Sequence, residues 1–389
     1  MNEVDVLNMY DLLLKGGIII DPSQNLHRQQ DIACSKGVIE AVEGDISADQ
    51  AREVLDVSRY FVAPGFIDLH VHVYPGVSHY GIECDPYNLA NGVTTLAEAG
   101  SAGADTFEGF RRYVVDSSRA RIYTFLNISS MGMISPNVGE LEDLRFADVG
   151  KAVRTCDRNR DIMRGIKVRL SKNIVGKNKT EPLKLALRAA EEVGMPVMVH
   201  HGNTPTPLTD ILNELRKGDI LTHCFHGLEH GILDSDGVVL ESVKDAIKRG
   251  VILDVGHGKG SFSFDVAEKA LSQGIVPETI STDLHYYNVF GPVYNLAVTA
   301  SKFLYLGLTL DQVLDRITIK PAKVLGVDRN LGNLRKGSLA DITVFELKEG
   351  TFIFEDTVGK VVTGRKLIVP VAVIKGGQIY VSKLKLIGR

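Results

Sequence analysis

The stretch APGFIDLHVH (63–72) joins a strand-like apolar run to two histidines that stand two positions apart. Side chains at positions i and i+2 of a β-strand point to the same face, about 6.5–7 Å apart along the chain. His70 and His72 can therefore converge on one metal ion through their imidazole nitrogens. Asp68 lies on the same face, one step deeper, where it could orient a ligand. The alternative, two polar residues on a surface strand, is disfavoured by the apolar runs VAPGFID and VTTL on either side.

Seven further strand-like runs follow, and segments with a helical period of 3.6 residues separate several of them. The runs are TTLAEAG (94–100), RIYTFLNIS (121–129), GIKVRLS (165–171), VMVHHG (197–202), ILTHCF (220–225), ILDVGH (252–257) and TISTDL (279–284). The helical segments include 106–119, 181–194, 239–250 and 264–274. Eight strands alternating with helices over about 270 residues predict an α/β fold, a (β/α)8 TIM barrel.

Both ends of the chain look different from this middle region. They consist of short apolar runs broken by glycine and turn residues, such as DLLLKGGIII (11–20) and VAVIKGGQIYVS (371–382). Such runs are typical of short strands and hairpins. We therefore predict a small β-sandwich formed by residues 1–58 and 335–389, with the barrel occupying residues 59–334 between them.

The composition excludes several classes of protein. Apolar residues make up 44% and charged residues 24% of the 389 residues, an ordinary balance for a globular chain. The net charge of −4 comes without a long basic run, so we expect binding neither to nucleic acid nor to an anionic membrane surface. The start of the chain is acidic, unlike a signal peptide, and no run of about 18 apolar residues could span a bilayer. A cytoplasmic location is expected.

Polar residues mark the ends of the predicted strands. In a TIM barrel, branched apolar side chains fill the interior and catalytic residues lie at the carboxyl ends of the strands. Residues at or next to such positions are His70, His72, His200, His201, His223, His257 and Asp283. A single histidine there is often a buried core group, but His200 and His223 together with the H-x-H pair favour a second metal position. Asp283 stands where a catalytic base is expected.

Lys167, in GIKVRLS, is the most informative single residue. A strand of a parallel barrel is covered on both faces, so this lysine is either buried or at the barrel mouth. Burial favours a neutral amine, which can react with CO2 to form an anionic carbamate that bridges two cations. The alternative is a salt bridge between Lys167 and a neighbouring carboxylate.

With these residues in this order, the sequence resembles the amidohydrolase superfamily, and within it the binuclear subtype. The resemblance covers nearly the whole chain, because members also carry a β-sandwich built from both termini, as GSLADITVF (337–345) suggests here. It implies two divalent metal ions, Zn2+ being expected. The implied ligands are His70 and His72 on the buried metal, His200 and His223 on the other, Lys167 as a bridging N6-carboxylysine, and Asp283 as ligand and catalytic base.

Several stretches are similar to the dihydroorotase-like deacetylase branch, among them LTHCFHG (221–227) and LDVGHGKGSFSF (253–264). This similarity implies attack of a metal-bridging hydroxide on an acyl group, acetyl in particular. The substrate would be a small carboxylate-bearing molecule such as an N-acetyl amino acid or an α-acetoxy acid. The alternative is a cyclic amidohydrolase of the dihydroorotase or hydantoinase kind. Dihydroorotases usually carry Arg where this chain has Tyr74, which counts against that activity.

A non-catalytic role and mononuclear deamination are both less favoured. A non-catalytic relative would usually have lost ligands, whereas all six positions are filled here. A mononuclear deaminase usually shows H-x-x-E on the fifth strand, where this chain has HHGN (200–203).

Three further residues are candidates for binding the substrate. Arg169 follows Lys167 by two positions on the same strand face and could hold a substrate carboxylate through two parallel hydrogen bonds. A structural salt bridge of Arg169 is the equally weighted alternative. His257 and His285 are candidates for the rim of the site. A small-molecule substrate and a homo-oligomeric enzyme are expected.

Overall fold

The structure, a computed structural model, describes residues 9–387. Its strands are β1 (Tyr10–Asp21), β2 (Leu26–Ser35), β3 (Val38–Glu43), β4 (Ala51–Asp56), β5 (Phe61–Pro64), β6 (Phe66–Val71), β7 (Val93–Gly103), β8 (Arg121–Asn127), β9 (Met163–Arg169), β10 (Val197–His200), β11 (Ile220–Thr222), β12 (Ile252–Leu253), β13 (Ile342–Glu355), β14 (Val361–Lys375), β15 (Gln378–Ser382) and β16 (Leu386–Ile387). The α-helices are Cys84–Tyr87, Phe107–Phe110, Val149–Arg158, Lys172–Val175, Glu181–Val193, Leu208–Glu214, Glu241–Arg249, Phe264–Ser272, Leu296–Tyr305, Leu310–Ile317 and Ile319–Val324.

Strands β6 to β12 form a parallel sheet in which each strand pairs with the next one along the chain. Parallel neighbours require long crossover connections, and helices lie in most of these connections. Residues 279–284 bridge both edges of the sheet, since Thr279 pairs with Asp254 and Leu284 pairs with Val71. The sheet therefore curls until its two edges meet this segment, and the predicted α/β class is confirmed.

The predicted strand 279–284 is reduced to these isolated bridges. The backbone of Asp283 has a φ of 50°, which lies outside the extended region that a strand requires. The helix predicted over 106–119 is also shorter than expected, because Phe107–Phe110 continues as a π-helix over Arg111–Val115. The hydroxyl of Ser118 donates to the carbonyl of Val114, a local hydrogen bond that competes with continuation of the helix.

Strands from both ends of the chain share one nine-stranded sheet, as the sequence predicts. Its order is β15-β14-β13-β5-β1-β2-β3, and β4 pairs with both β1 and β16. Strand β5 connects the two ends, since it is parallel to β1 and antiparallel to β13. It stays a prediction that this region is a sandwich of two layers, and so do the domain boundaries 1–58, 59–334 and 335–389. Strand β5, at 61–64, belongs to this terminal sheet.

Aromatic packing joins the terminal sheet to the curled sheet. Phe345 of β13 stacks on Phe61 of β5 with ring centroids 5.5 Å apart, and lies 6.0 Å from the ring of Phe66 in β6. The side chain of Phe345 is fully buried. Within residues 9–387, no helix is long and apolar enough to cross a membrane.

Candidate metal centre and active site

The carboxyl ends of the parallel strands bring all six predicted ligand residues together in one buried cluster. The Asp283 Oδ1 atom lies 3.4 Å from His70 Nε2 and 3.1 Å from His72 Nε2. The Nζ atom of Lys167 lies 3.3 Å from His70 Nε2. Lys167 is only 1% exposed and forms no ion pair with a described residue, so the salt-bridge alternative finds no partner.

The two remaining histidines adjoin this group. The ring centroid of His223 lies 5.0 Å from that of His70 and 4.3 Å from that of His200. One ligand atom from each of His70, His223 and Asp283 can be chosen so that all three lie within 4.8 Å of one another. The spacing is compatible with metal binding at this cluster.

Hydrogen bonds at Nδ1 orient the two imidazoles of the H-x-H pair. His70 Nδ1 lies 2.9 Å from Thr222 Oγ1, and His72 Nδ1 lies 2.9 Å from Ser101 Oγ. These contacts hold each ring at its outer nitrogen while Nε2 points toward Asp283. Such outer contacts fix the ring orientation of metal-binding histidines.

The ring of His223 provides a test of whether these residues suit a metal. Its Nδ1 lies 2.6 Å from the carbonyl oxygen of Gly256. Since a carbonyl oxygen can only accept a hydrogen bond, Nδ1 is the donor. The proton is therefore on Nδ1, and Nε2 carries a free lone pair. This nitrogen is buried and has no hydrogen-bond partner in the structure. Buried polar atoms are rarely left unpaired, so the donor set fits a divalent cation.

Buried carboxylates support the cluster from behind. Asp254 accepts hydrogen bonds from Thr222, Thr279 and Ser281 at 2.6–2.8 Å, and Thr222 in turn contacts His70. Glu98 accepts from the backbone N–H of Ser101 and lies 3.5 Å from His72 Nδ1. Neither Glu98 nor Thr222 is marked by the strand-end pattern of the sequence. A signal for Glu98 exists, because it is a carboxylate inside the apolar run 94–100.

Asp68 has a different contact from the one expected. Its carboxylate accepts from the hydroxyl of Thr282 at 2.6 Å and from the backbone N–H of Thr282 at 3.0 Å. It also accepts from the backbone N–H of His70 at 3.3 Å. Asp68 thus fixes the backbone at His70 and at Thr282, the residue before Asp283. Among the described residues, it forms no hydrogen bond with an imidazole ring.

Two of the ligand positions have an uncommon backbone conformation. His223 and Asp283 have φ values of 67° and 50°, a left-handed region that non-glycine residues rarely adopt. Such conformations cluster at functional sites, where surrounding contacts maintain them. The neighbouring glycines allow close approach, since a Cβ at Gly256 would lie 2.8 Å from His223 Nδ1 and one at Gly258 2.6 Å from Asp283 Oδ2.

Burial and charge set the protonation of the cluster. Burial lowers the pKa of Lys167 to about 7, so much of its amine is neutral near neutral pH. Burial opposes ionisation of Asp283, but His70 and His72 outweigh it and hold the pKa of this carboxyl well below its usual range. The site therefore combines a carboxylate with an amine that readily loses its proton.

A cavity of about 360 Å³ adjoins this cluster. Its lining includes His200, Asp283, His285, Tyr80 and Lys259. The volume is near the lower end of the range for ligand sites, about 300–1,000 Å³. A small molecule placed there would reach both Asp283 and His200.

The three predicted substrate-binding residues have different surroundings. Arg169 forms a buried bidentate ion pair with Glu140, with Nε to Oε1 at 2.9 Å and a second bond from Nη2 to Oε2. His285 lines the cavity, whereas His257 is fully buried and lies outside its lining. The contact of Arg169 supports the structural salt bridge; substrate binding by Arg169, His257 or His285 stays a prediction.

His257 instead has a buried lysine as its partner. The Nζ atom of Lys302 lies 2.7 Å from His257 Nε2 and donates to the carbonyl oxygens of Pro292 and Glu355 at 3.0 and 2.7 Å. Lys302 is fully buried in the helix Leu296–Tyr305. The sequence gives no signal for this burial, because a lysine in an amphipathic helix is usually exposed.

Comparison with known proteins agrees with this geometry. Residues 61–379 match the amidohydrolase family. A deacetylase of Agrobacterium fabrum is 36% identical over 343 residues, which cover 88% of this chain and 84% of the relative. A deacetylase of Enterococcus faecalis is 34% identical over 377 residues, which cover 95% of this chain and 99% of the relative.

Two solved structures are similar over nearly the whole chain. One is described as an adenine deaminase, with 33% identity, a TM-score of 0.90, and coverage of 96% of this chain and 100% of that one. The other is described as a dihydroorotase, with 34% identity, a TM-score of 0.86, and coverage of 96% and 98%. This chain belongs to the amidohydrolase family, and the resemblance read from its sequence is confirmed.

Replacing His223 with alanine should reduce metal binding. The substitution removes a buried Nε2 lone pair, so we expect the protein reconstituted with Zn2+ to hold at least one ion fewer per chain. Metal content by plasma mass spectrometry after dialysis measures this. The matched control is His230→Ala, at an exposed histidine. Equal metal content in both variants would contradict the assignment.

The buried amine of Lys302 should make stability depend on pH. Burial lowers its pKa from 10.5 to about 7, so between these values the unfolded chain binds the extra proton. The free energy of unfolding should therefore rise with pH from about 7 to 10, by at most about 1.4 kcal/mol per pH unit. Urea unfolding of Lys302→Met should lack this contribution, while the exposed control Lys336→Met should keep it. Equal slopes in all three proteins would be the contrary result.

Proposed function

We propose that this amidohydrolase removes an acyl group, acetyl in particular, from a small carboxylate-bearing substrate such as an N-acetyl amino acid or an α-acetoxy acid. The observation that carries the proposal is the cluster of six potential ligands, with the unpartnered Nε2 of His223 inside it and a small cavity beside Asp283. The similarity to two deacetylases over most of the chain supports the acyl substrate.

Two divalent cations, Zn2+ being expected, would occupy the cluster. His70, His72 and Asp283 would hold one, His200 and His223 the other, and Lys167 would bridge them as N6-carboxylysine. When bound, the cations would make water nucleophilic near neutral pH and polarise the acyl carbonyl. The burial of Lys167 supports its modification, because only a neutral amine reacts with CO2.

Asp283 would carry the proton through the reaction. Its carboxylate is ionised at neutral pH and lies at the edge of the cavity, so it can accept a proton from the attacking water. It would then return this proton to the leaving nitrogen or oxygen as the C–N or C–O bond breaks. The products are a carboxylic acid, acetic acid for an acetyl group, and a free amine or alcohol.

A cyclic amidohydrolase is the second candidate, favoured by the similarity to a structure described as a dihydroorotase. Tyr74 argues against that activity. Its side chain is buried and its hydroxyl donates to the carbonyl of Thr106 at 3.0 Å, so it does not replace an arginine at the substrate. A cytoplasmic location and a homo-oligomer stay predictions.

One panel of substrates separates the candidates. The Zn2+-loaded protein should release acetate from acetylated amino acids or acetoxy acids, and should leave hydantoin, dihydroorotate and adenine unchanged. Acetate release is followed with a coupled assay, and ring opening or deamination by absorbance. Turnover of a cyclic amide alone would replace the deacylase proposal with the second candidate, and turnover of adenine alone would overturn both.

Lys167 should carry a carbamate in the metal-loaded protein. Incubation with 13C-bicarbonate should give a carbamate carbon signal by NMR, which Lys167→Met should lack together with most of its bound metal. Lys167→Glu should recover part of the metal, because it restores an anionic oxygen ligand. A full complement of two ions in Lys167→Met would contradict a bridging lysine.

Asp283→Asn should lower kcat per bound metal by about 10²–10⁴-fold, the usual contribution of an acid–base group. The amide cannot accept the proton of water at neutral pH. Asp236→Asn, at an exposed aspartate, is the control and should leave kcat unchanged. Turnover near the wild-type rate by metal-bound Asp283→Asn would mean that another group is the base.

A further inference from the structure

The proposed function needs a cation for the substrate carboxylate, and the arginine nearest the cluster is already paired. The Nε and Nη2 edge of the Arg169 guanidinium binds Glu140 through two parallel hydrogen bonds, and the side chains of Arg169 and Glu140 are 9% and 2% exposed. Asn127 also donates to Glu140 at 3.1 Å. Removing Arg169 from this carboxylate would leave a buried charge uncompensated, which is strongly unfavourable.

Lys259 is the one lysine or arginine among the described residues that line the cavity. It is exposed, and within residues 9–387 it forms no ion pair and no side-chain hydrogen bond. Asp283 is the one carboxylate among the described residues of the same lining. The ammonium of Lys259 is thus free to bind an anion that enters the cavity.

The glycine-rich loop around Lys259 sets its distance from the reacting atoms. Gly258 has a φ of 58°, and a Cβ there would lie 2.6 Å from Asp283 Oδ2, so the backbone passes directly against the proposed base. Lys259 begins one residue further, and its four-carbon stem can bring the ammonium over the cavity. In an α-acyloxy or α-acylamino acid, the carboxylate is three bonds from the acyl carbon, which requires a cation close to Asp283.

We propose that Lys259 is the residue that binds the carboxylate of the substrate. The assignment rests on the proposed acyl hydrolysis for its substrate class, while the anion site itself is defined by Lys259 and the cavity. Arg169 holds the loop residue Glu140 against β9 in this arrangement.

The test uses binding as well as turnover. The probe is 4-oxopentanoate, a ketone that has the shape of N-acetylglycine but no bond to hydrolyse, and its neutral partner is 4-oxopentanamide. Calorimetry on the Zn2+-loaded protein should give at least about tenfold weaker binding of the acid to Lys259→Met, since a charge-assisted hydrogen bond is lost. The amide should bind both proteins equally. Lys259→Arg should retain the affinity within about threefold, and Lys336→Met should match the wild type.

Kinetics give the second measurement. On the best acetylated acid of the panel, Lys259→Met should raise KM by about tenfold or more with little change in kcat, because the carboxylate is bound equally in the ground and transition states. Equal binding of 4-oxopentanoate to wild type and Lys259→Met, or no binding to either, would overturn the proposal even if acetate is released. Lysine-dependent binding without turnover of any acetylated acid would support the anion site and overturn the proposed hydrolysis.

Discussion

The site depends on the hydrogen bond from His223 Nδ1 to the carbonyl oxygen of Gly256. This 2.6 Å bond decides which ring nitrogen carries the proton, and it leaves the buried Nε2 atom as a lone pair among His70, His200 and Asp283. It requires a left-handed backbone at His223 and a glycine at position 256, because a side chain there would collide with the ring. The backbone itself thus fixes the orientation of this potential ligand atom.

The positive charges near the site differ in how the protein accommodates them. Arg169 is neutralised by Glu140, while Lys302 is surrounded by two carbonyl oxygens and the ring of His257. Lys167 has only an imidazole nitrogen as a hydrogen-bond partner among the described residues, and Lys259 is in solvent at the cavity edge. Burial lowers the pKa of Lys167, whereas Lys259 is exposed and has no ion-pair partner among the described residues. Two lysines near the same site thus have opposite surroundings, one buried and one exposed.

The sequence predicted that the six candidate ligand residues lie together because strand periodicity and strand ends are local signals. His70 and His72 share a face by the two-residue repeat, and parallel strands align their carboxyl ends. The partners of Arg169 and His257 could not be predicted from the sequence. Arg169 and Glu140 lie 29 positions apart, with Glu140 in a loop, and His257 and Lys302 lie 45 positions apart. No periodicity links such pairs, so their contacts follow only from the folded arrangement of loops and helices.

A single residue, Gly65, connects β5 to β6, and this short connection couples the terminal sheet to the parallel sheet. Strand β5 is paired inside the terminal sheet, Gly65 follows, and β6 then leads directly to His70 and His72. A Cβ at Gly65 would lie 2.1 Å from Thr94 Oγ1, so this junction is tightly packed against β7. At this junction there is no linker at which the two sheets could be cut apart. A change in the pairing of β5 would therefore be transmitted directly to the strand that carries His70.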